Sequence, residues 1–174
     1  MKKNKKESAL LALSAAFLLS LIPLHAEEGT AKTLFDKALA EEQNESWYTA
    51  SQFYMEALQK NPVYADAWFH LARCSYELGE FDLALTRLDE AEKLSKGDNA
   101  IQNLRGMTFI AMGRFSDARA IFQGILKRTP NDIDARFGLA ELDLFDGKIS
   151  GAEKQYTEAL KRQAENRKAL LSLA

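Results

Sequence analysis

The chain has 174 residues, enough for one domain with a hydrophobic core. Its apolar share of 47% and charged share of 28% exclude an intrinsically disordered chain. A net charge of −2 excludes broad phosphate neutralisation, so no nucleic-acid partner is expected and an anionic membrane surface is a poor one.

Lys2, Lys3, Lys5 and Lys6 precede an uncharged apolar run from Ser8 to Leu24, and Ala26 stands before Glu27 and Glu28. Basic, then apolar, then small is the order of a secretory signal, so residues 1–26 are expected to be a signal peptide and 27–174 the working domain. Leu24 occupies a site where cleavage prefers a small residue, which leaves an uncleaved anchor as the alternative. After cleavage no integral membrane span is expected, because no other run approaches the roughly 20 apolar residues a span needs. The protein is then expected to be exported, to the periplasm or envelope of a bacterium. Setting the leader aside leaves 19 basic against 24 acidic side chains, a mildly acidic chain.

Three prolines and long stretches of Ala, Leu, Glu, Lys and Arg favour helix throughout. In chain order the pattern predicts helices over 31–43, 47–60, 64–78, 81–95, 98–112, 115–128, 132–146 and 149–163, with a ninth beginning near Arg167. Gly79, Gly113 and Gly147 separate alternate pairs, with Glu45 at the same place in the earliest pair. Asn61-Pro62 and Pro130-Asn131 mark other junctions, since proline stops the preceding helix.

These elements repeat every 34 residues. Ala38, Ala72, Gly106, Ala140 and Ala174 form one small series, and Ala50, Ala84, Ala118 and Ala152 another. Tyr54, Leu88, Phe122 and Tyr156 are always large, as are Trp47, Phe81, Phe115 and Ile149. Each unit is therefore two short amphipathic helices, neither able to bury its apolar face alone, so neighbouring units must stack. Small residues let the backbones approach, and large ones fill the wedge between hairpins.

The pattern resembles the tetratricopeptide repeat family, whose unit is about 34 residues of helix, turn and helix. In the second copy Trp68, Leu71, Ala72, Gly79, Phe81, Ala84, Leu88 and Ala91 fall on the family's large, small and turn positions. The third matches with Gly106, Phe109, Gly113, Phe115, Ala118, Phe122 and Pro130, and the fourth with Leu139, Ala140, Gly147, Ala152, Tyr156 and Ala159. Gln102 and Arg105 replace expected apolar residues, which predicts a loosely packed first helix in the third copy, and Arg136 departs similarly in the fourth. The first copy is the most divergent, keeping Leu34, Ala38, Trp47, Ala50, Tyr54, Ala57 and Pro62. Repeats then span about 31–64, 65–98, 99–132 and 133–166. A partial repeat or capping helix follows at 167–174, whose Leu170, Leu171 and Leu173 call for a cover: more chain, a partner, or self-association.

The resemblance implies an all-α fold, a right-handed superhelical solenoid of antiparallel helix pairs whose first helices line a concave groove. That groove would present Phe35, Asp36 and Leu39, then Phe69, His70, Arg73 and Tyr76, then Asn103, Leu104, Met107 and Ile110, and finally Phe137, Glu141 and Leu144. Aromatics, a methionine and an arginine among aliphatics suit a protein or peptide partner with apolar anchors. For Leu104, Ile110 and Leu144 a place in the core is an equal alternative. Some family members grip the acidic tail of cytosolic chaperones with a clamp of lysines, asparagines and an arginine. Asn103 could serve there, but Leu39, Ala100 and Leu104 stand where other clamp members are required, so that partner is not expected.

Catalytic motifs are missing. After the leader, His70 is the sole histidine, which rules out a His-based metal site or a Ser-His-Asp arrangement within one chain. Carboxylates such as Asp132 and Asp134 read as helix caps and solvated faces, and no cofactor is expected. Cys74, the only cysteine, reads as a small buried hydrophobe. The expected function is a non-catalytic scaffold or adaptor. Alternatives are a ligand-binding accessory of a transport or envelope system, and the repeat region of a longer enzyme.

Overall fold

The computed structural model describes residues 29–172, with side chains to residue 161. The leader predicted at 1–26 and the side chains of Leu170, Leu171 and Leu173 lie outside the described residues. Eight helices follow one another in the described residues, with no strand among them. They are α1 Ala31–Gln43, α2 Trp47–Lys60, α3 Ala65–Glu77, α4 Phe81–Leu94, α5 Asn99–Ala111, α6 Phe115–Arg128, α7 Ile133–Phe145 and α8 Ile149–Ser172. The chain divides into two units, one ending at Val63 and the next beginning at Tyr64.

The recurring turn has one construction. In the α5–α6 turn Gly113 adopts φ 73°, its N–H donates to Ile110 O at 2.9 Å, and Arg114 N–H donates to Phe109 O at 2.8 Å. These two bonds satisfy carbonyls that the helix end leaves open, and they require a left-handed residue between them. Glu45 makes the same turn at φ 57°, with Glu45 N–H on Glu42 O at 3.0 Å and Ser46 N–H on Glu41 O at 2.9 Å.

The first unit is the hairpin α1–α2. Thr30 caps α1 by accepting the Thr33 N–H at 3.1 Å. Ala38, Ala50 and Ala57 are wholly buried, which lets the helices close on Phe35 and Tyr54, whose ring centres are 5.5 Å apart. Tyr54 is also wholly buried and donates its hydroxyl to the buried Glu42, so its polar end is satisfied inside an apolar contact.

The second unit stacks the hairpins α3–α4, α5–α6 and α7–α8, with α5 touching both α3 and α7. Ala72, Leu88, Ala91 and Ile101 form one core beneath Trp68 and Leu85. Ile110, Ala118, Phe122, Ile125, Ala135, Leu139 and Leu142 form the next. The small series is buried as its spacing predicts: Ala72, Ala84, Ala118 and Ala140 are wholly inaccessible. The Trp47 series is only half covered at Trp47 and Phe81, and is exposed at Phe115 and Ile149.

Gln102 and Arg105 of α5 donate to Glu92 and Asp89 of α4, each at 2.7 Å, so polar pairs stand where the repeat expects apolar contacts. One expectation is corrected: no separate helix begins near Arg167, because α8 runs unbroken from Ile149 to Ser172. The other second helices meet a proline or glycine at Pro62, Gly97 or Pro130, whereas residues 152–172 contain neither.

Candidate functional site

Residues one repeat apart come together on the α3, α5 and α7 side of the second unit. Phe69, Asn103 and Phe137 occupy equivalent positions in successive repeats, as do Arg73, Met107 and Glu141. Stacking sets α5 between its two neighbours, which brings Phe69, Asn103, Met107 and Phe137 to one place. An open cavity of about 360 Å³ results, lined by Phe69 of α3, Ala100, Asn103, Leu104 and Met107 of α5, and Asp134 and Phe137 of α7.

Five residues singled out from the sequence therefore share one cavity: Phe69, Asn103, Leu104, Met107 and Phe137. Its two further members are Ala100, named from the sequence only as a clamp position without a clamp residue, and Asp134, read there as a cap or solvated carboxylate. They too are one repeat apart, and each stands one helical turn before Asn103 or Phe137, a spacing that could have found them.

The other candidates lie elsewhere. Phe35 is a core residue of the first unit, because its ring faces Tyr54 at the hairpin contact. Asp36 is exposed and paired with Lys32, and Leu39 is half-buried. The His70 and Phe69 rings stand nearly perpendicular with centres 5.4 Å apart, and burial holds the imidazole below the usual 6.5 against an opposing pull from Asp66. Arg73 and Glu141 are half-buried. Tyr76 packs on Phe81 with ring centres 5.9 Å apart, and its phenol is raised by burial and then by Glu77 and Glu141. Ile110 belongs to the core. Leu144, 49% exposed, joins Ile149, Tyr156 and Leu160 in a separate depression.

Asn103 is the polar centre of the cavity. Its Nδ2 donates to Asp132 Oδ1 at 3.0 Å. Asp132 also caps α7 by accepting the Ala135 N–H at 2.9 Å, and its other oxygen accepts from Asn99 at 3.0 Å. The Asn103 side chain is only 7% exposed, and its Oδ1 has no hydrogen-bond partner. Asp134 lies at the same cavity, with its carboxyl raised by burial and then by Asp132. Among the described residues no group of three His, Cys, Asp or Glu side chains is placed to hold a metal ion. No described helix is long and apolar enough to cross a membrane.

Repeat spacing, paired helices and a groove on the first helices define a helical-repeat protein. A profile of the tetratricopeptide repeat family matches residues 49–107 and 109–174, and the chain belongs to that family. Over 98 residues it is 29% identical to ER membrane protein complex subunit 2-A of Xenopus laevis, covering 56% of this chain and 33% of that one. The chain thus spans about a third of the length of that curated relative. Among solved structures it is similar to MamA, with a TM-score of 0.69 at 17% identity over 97% of this chain and 98% of that one. It is also similar to the first tetratricopeptide domain of Spaghetti (RPAP3), bound to the HSP90 peptide SRMEEVD. There the TM-score is 0.62 at 18% identity, covering 67% of this chain and 93% of that one.

Proposed function

We propose that the chain is a non-catalytic scaffold that holds an extended segment of a partner protein against α3, α5 and α7. Tetratricopeptide proteins generally mediate protein–protein interactions, and the observation that carries the reading here is the cavity itself. Phe69 and Phe137 flank an amide and a methionine in an open, mainly apolar depression of about 360 Å³. Such a surface offers anchoring area from side chains that lose little rotamer freedom, and a polar group to orient the guest. The basic leader followed by an apolar run supports work outside the cytoplasm, in the bacterial envelope.

Pull-down from envelope extract tests the reading, comparing wild type with a Phe69→Ala/Phe137→Ala double variant. The variant is expected to lose the captured proteins; identical capture by both would sink the assignment. N-terminal sequencing of the envelope fraction tests export, with Glu27 the expected first residue.

A further inference from the structure

We infer that the open face of the last hairpin docks a second copy of this chain, with α8 of each copy running antiparallel to the other about a two-fold axis at Leu160. This face shares no residue with the cavity at Phe69 and Phe137.

The stacking plan leaves the face without a cover. Within the second unit each earlier hairpin is closed by the first helix of its successor, and α7–α8 has no successor among the described residues. Positions one repeat earlier measure the effect. Leu144 is 49% exposed where Ile110 is 8%, and Ile149 is 72% exposed where Phe115 is 37%. Tyr156 is half-buried where Phe122, pressed on Gly138 of the next repeat, is wholly buried. With the exposed Leu160 these side chains line one open depression, and a contiguous apolar surface of this kind marks an interaction site.

The chain cannot close this face with its own end. α8 runs unbroken for 24 residues, against 14 in α4 and α6. At a rise of about 1.5 Å per residue, Ser172 lies about 18 Å past Leu160 along the helix axis, with no turn to bring it back. A helical extension of that length is marginal without packing, so it calls for a neighbour of its own.

The sequence of α8 fits itself when reversed. Ile149, Glu153, Tyr156, Leu160, Ala164, Arg167 and Leu171 are spaced by three and four residues, which keeps these positions on one helix face. The spacing reads the same from either end, with Leu160 at its centre. An antiparallel copy therefore sets Leu160 beside its own counterpart, Tyr156 beside Ala164, Glu153 beside Arg167 and Ile149 beside Leu171. Large meets small, acid meets base and apolar meets apolar, which is the self-complementarity a two-fold interface requires.

Charge decides the direction. Residues 149–160 hold two acidic side chains and one basic, whereas 161–172 hold four basic and one acidic. Antiparallel pairing sets the basic half on the acidic half, and parallel pairing would set basic on basic.

Sedimentation equilibrium of the purified protein across a dilution series tests the inference. A reversible dimer is expected. Leu160→Glu should leave a monomer, by setting two carboxylates on the axis. Glu153→Arg and Arg167→Glu should each weaken association about tenfold at low salt, and the doubly exchanged variant should recover it with its pairs reversed. Circular dichroism checks that each variant folds. Direction is read from disulfide formation on mild oxidation, in which the buried Cys74 does not compete. Leu160→Cys should link two copies, whereas Ile149→Cys should not, since antiparallel pairing holds those two positions about 33 Å apart. A monomer at every concentration would leave the face to another protein or to further chain and overturn the inference. A dimer indifferent to Leu160→Glu, a charge exchange that restores nothing, or equal linking at both cysteines would overturn it too.

Discussion

The ring of Phe122 lies so close to the backbone of Gly138 that a Cβ added there would stand 2.3 Å from the ring carbon Cζ. The same ring bears on Gly106, where an added Cβ would stand 2.5 Å from Cζ. Phe122 is wholly buried and is held between two glycines of α5 and α7, so it has no room to retreat. Gly138→Ala gains about 1 kcal/mol of helix propensity but overpacks a closed site, which typically costs about 1–3 kcal/mol. The expected outcome is a net loss of stability in urea unfolding. Adding Phe122→Leu to Gly138→Ala should recover part of that loss, because the two residues compete for one volume.

Ala84 is wholly buried where α3 and α4 close on each other. Ala84→Leu is expected to destabilise by about 1–3 kcal/mol through overpacking. An unchanged melting temperature would contradict the repeat register.

Glu45 holds a left-handed backbone at φ 57°, where the corresponding turns use Gly79, Gly113 and Gly147. That conformation costs a residue with a Cβ roughly 1–2 kcal/mol, while glycine's extra freedom in the unfolded chain offsets about 0.5–1. Glu45→Gly should therefore raise stability by about 0.5–1 kcal/mol, read as a later thermal transition. Glu45→Ala should not.

Burial lowers the His70 imidazole in the folded protein, so the unfolded chain takes up its proton first as pH falls. Stability from this group is whole above pH 6.5 and declines as pH drops through 6.5 towards the folded value. Comparing urea midpoints at pH 7.5 and 5.5 should show a smaller drop in His70→Gln than in wild type. Equal drops would show that carboxylates alone set the acid response.

Cys74 is wholly buried, and burial pushes its thiol up to about 11. Both the access and the thiolate that alkylation needs are withheld at neutral pH. A maleimide added at pH 7.5 should label Cys74 only as fast as the protein opens, and rapidly in urea. Prompt labelling of the native state would place the thiol outside the core.

Helix limits were legible because capping, glycine and proline chemistry act within a few residues. The turns at Gly79, Gly113 and Gly147, and the substitute at Glu45, lie where a 34-residue step sets them. The groove was legible in part for the same reason: repeat-equivalent positions on stacked helices face one way, which brought Phe69, Asn103 and Phe137 forward from spacing alone. Asp134 was passed over because its place in the first turn of α7 also suits a residue that favours a helix start. Gln102 and Arg105 stand where the repeat expects apolar side chains, and only the folded chain shows that their polar partners lie on α4.

Periodicity alone, then, determined that this chain folds as paired helices in 34-residue units with alanines at their contacts, because a helix buries whatever recurs on one of its faces. Only the tertiary structure decided that Phe35 belongs to a core and Phe69 to a cavity, that Leu144 stands apart, and that Asn103 keeps an acceptor open. Those outcomes depend on which helix lies opposite each side chain and on how its hydrogen bonds are distributed, and neither is a property of one strip of sequence.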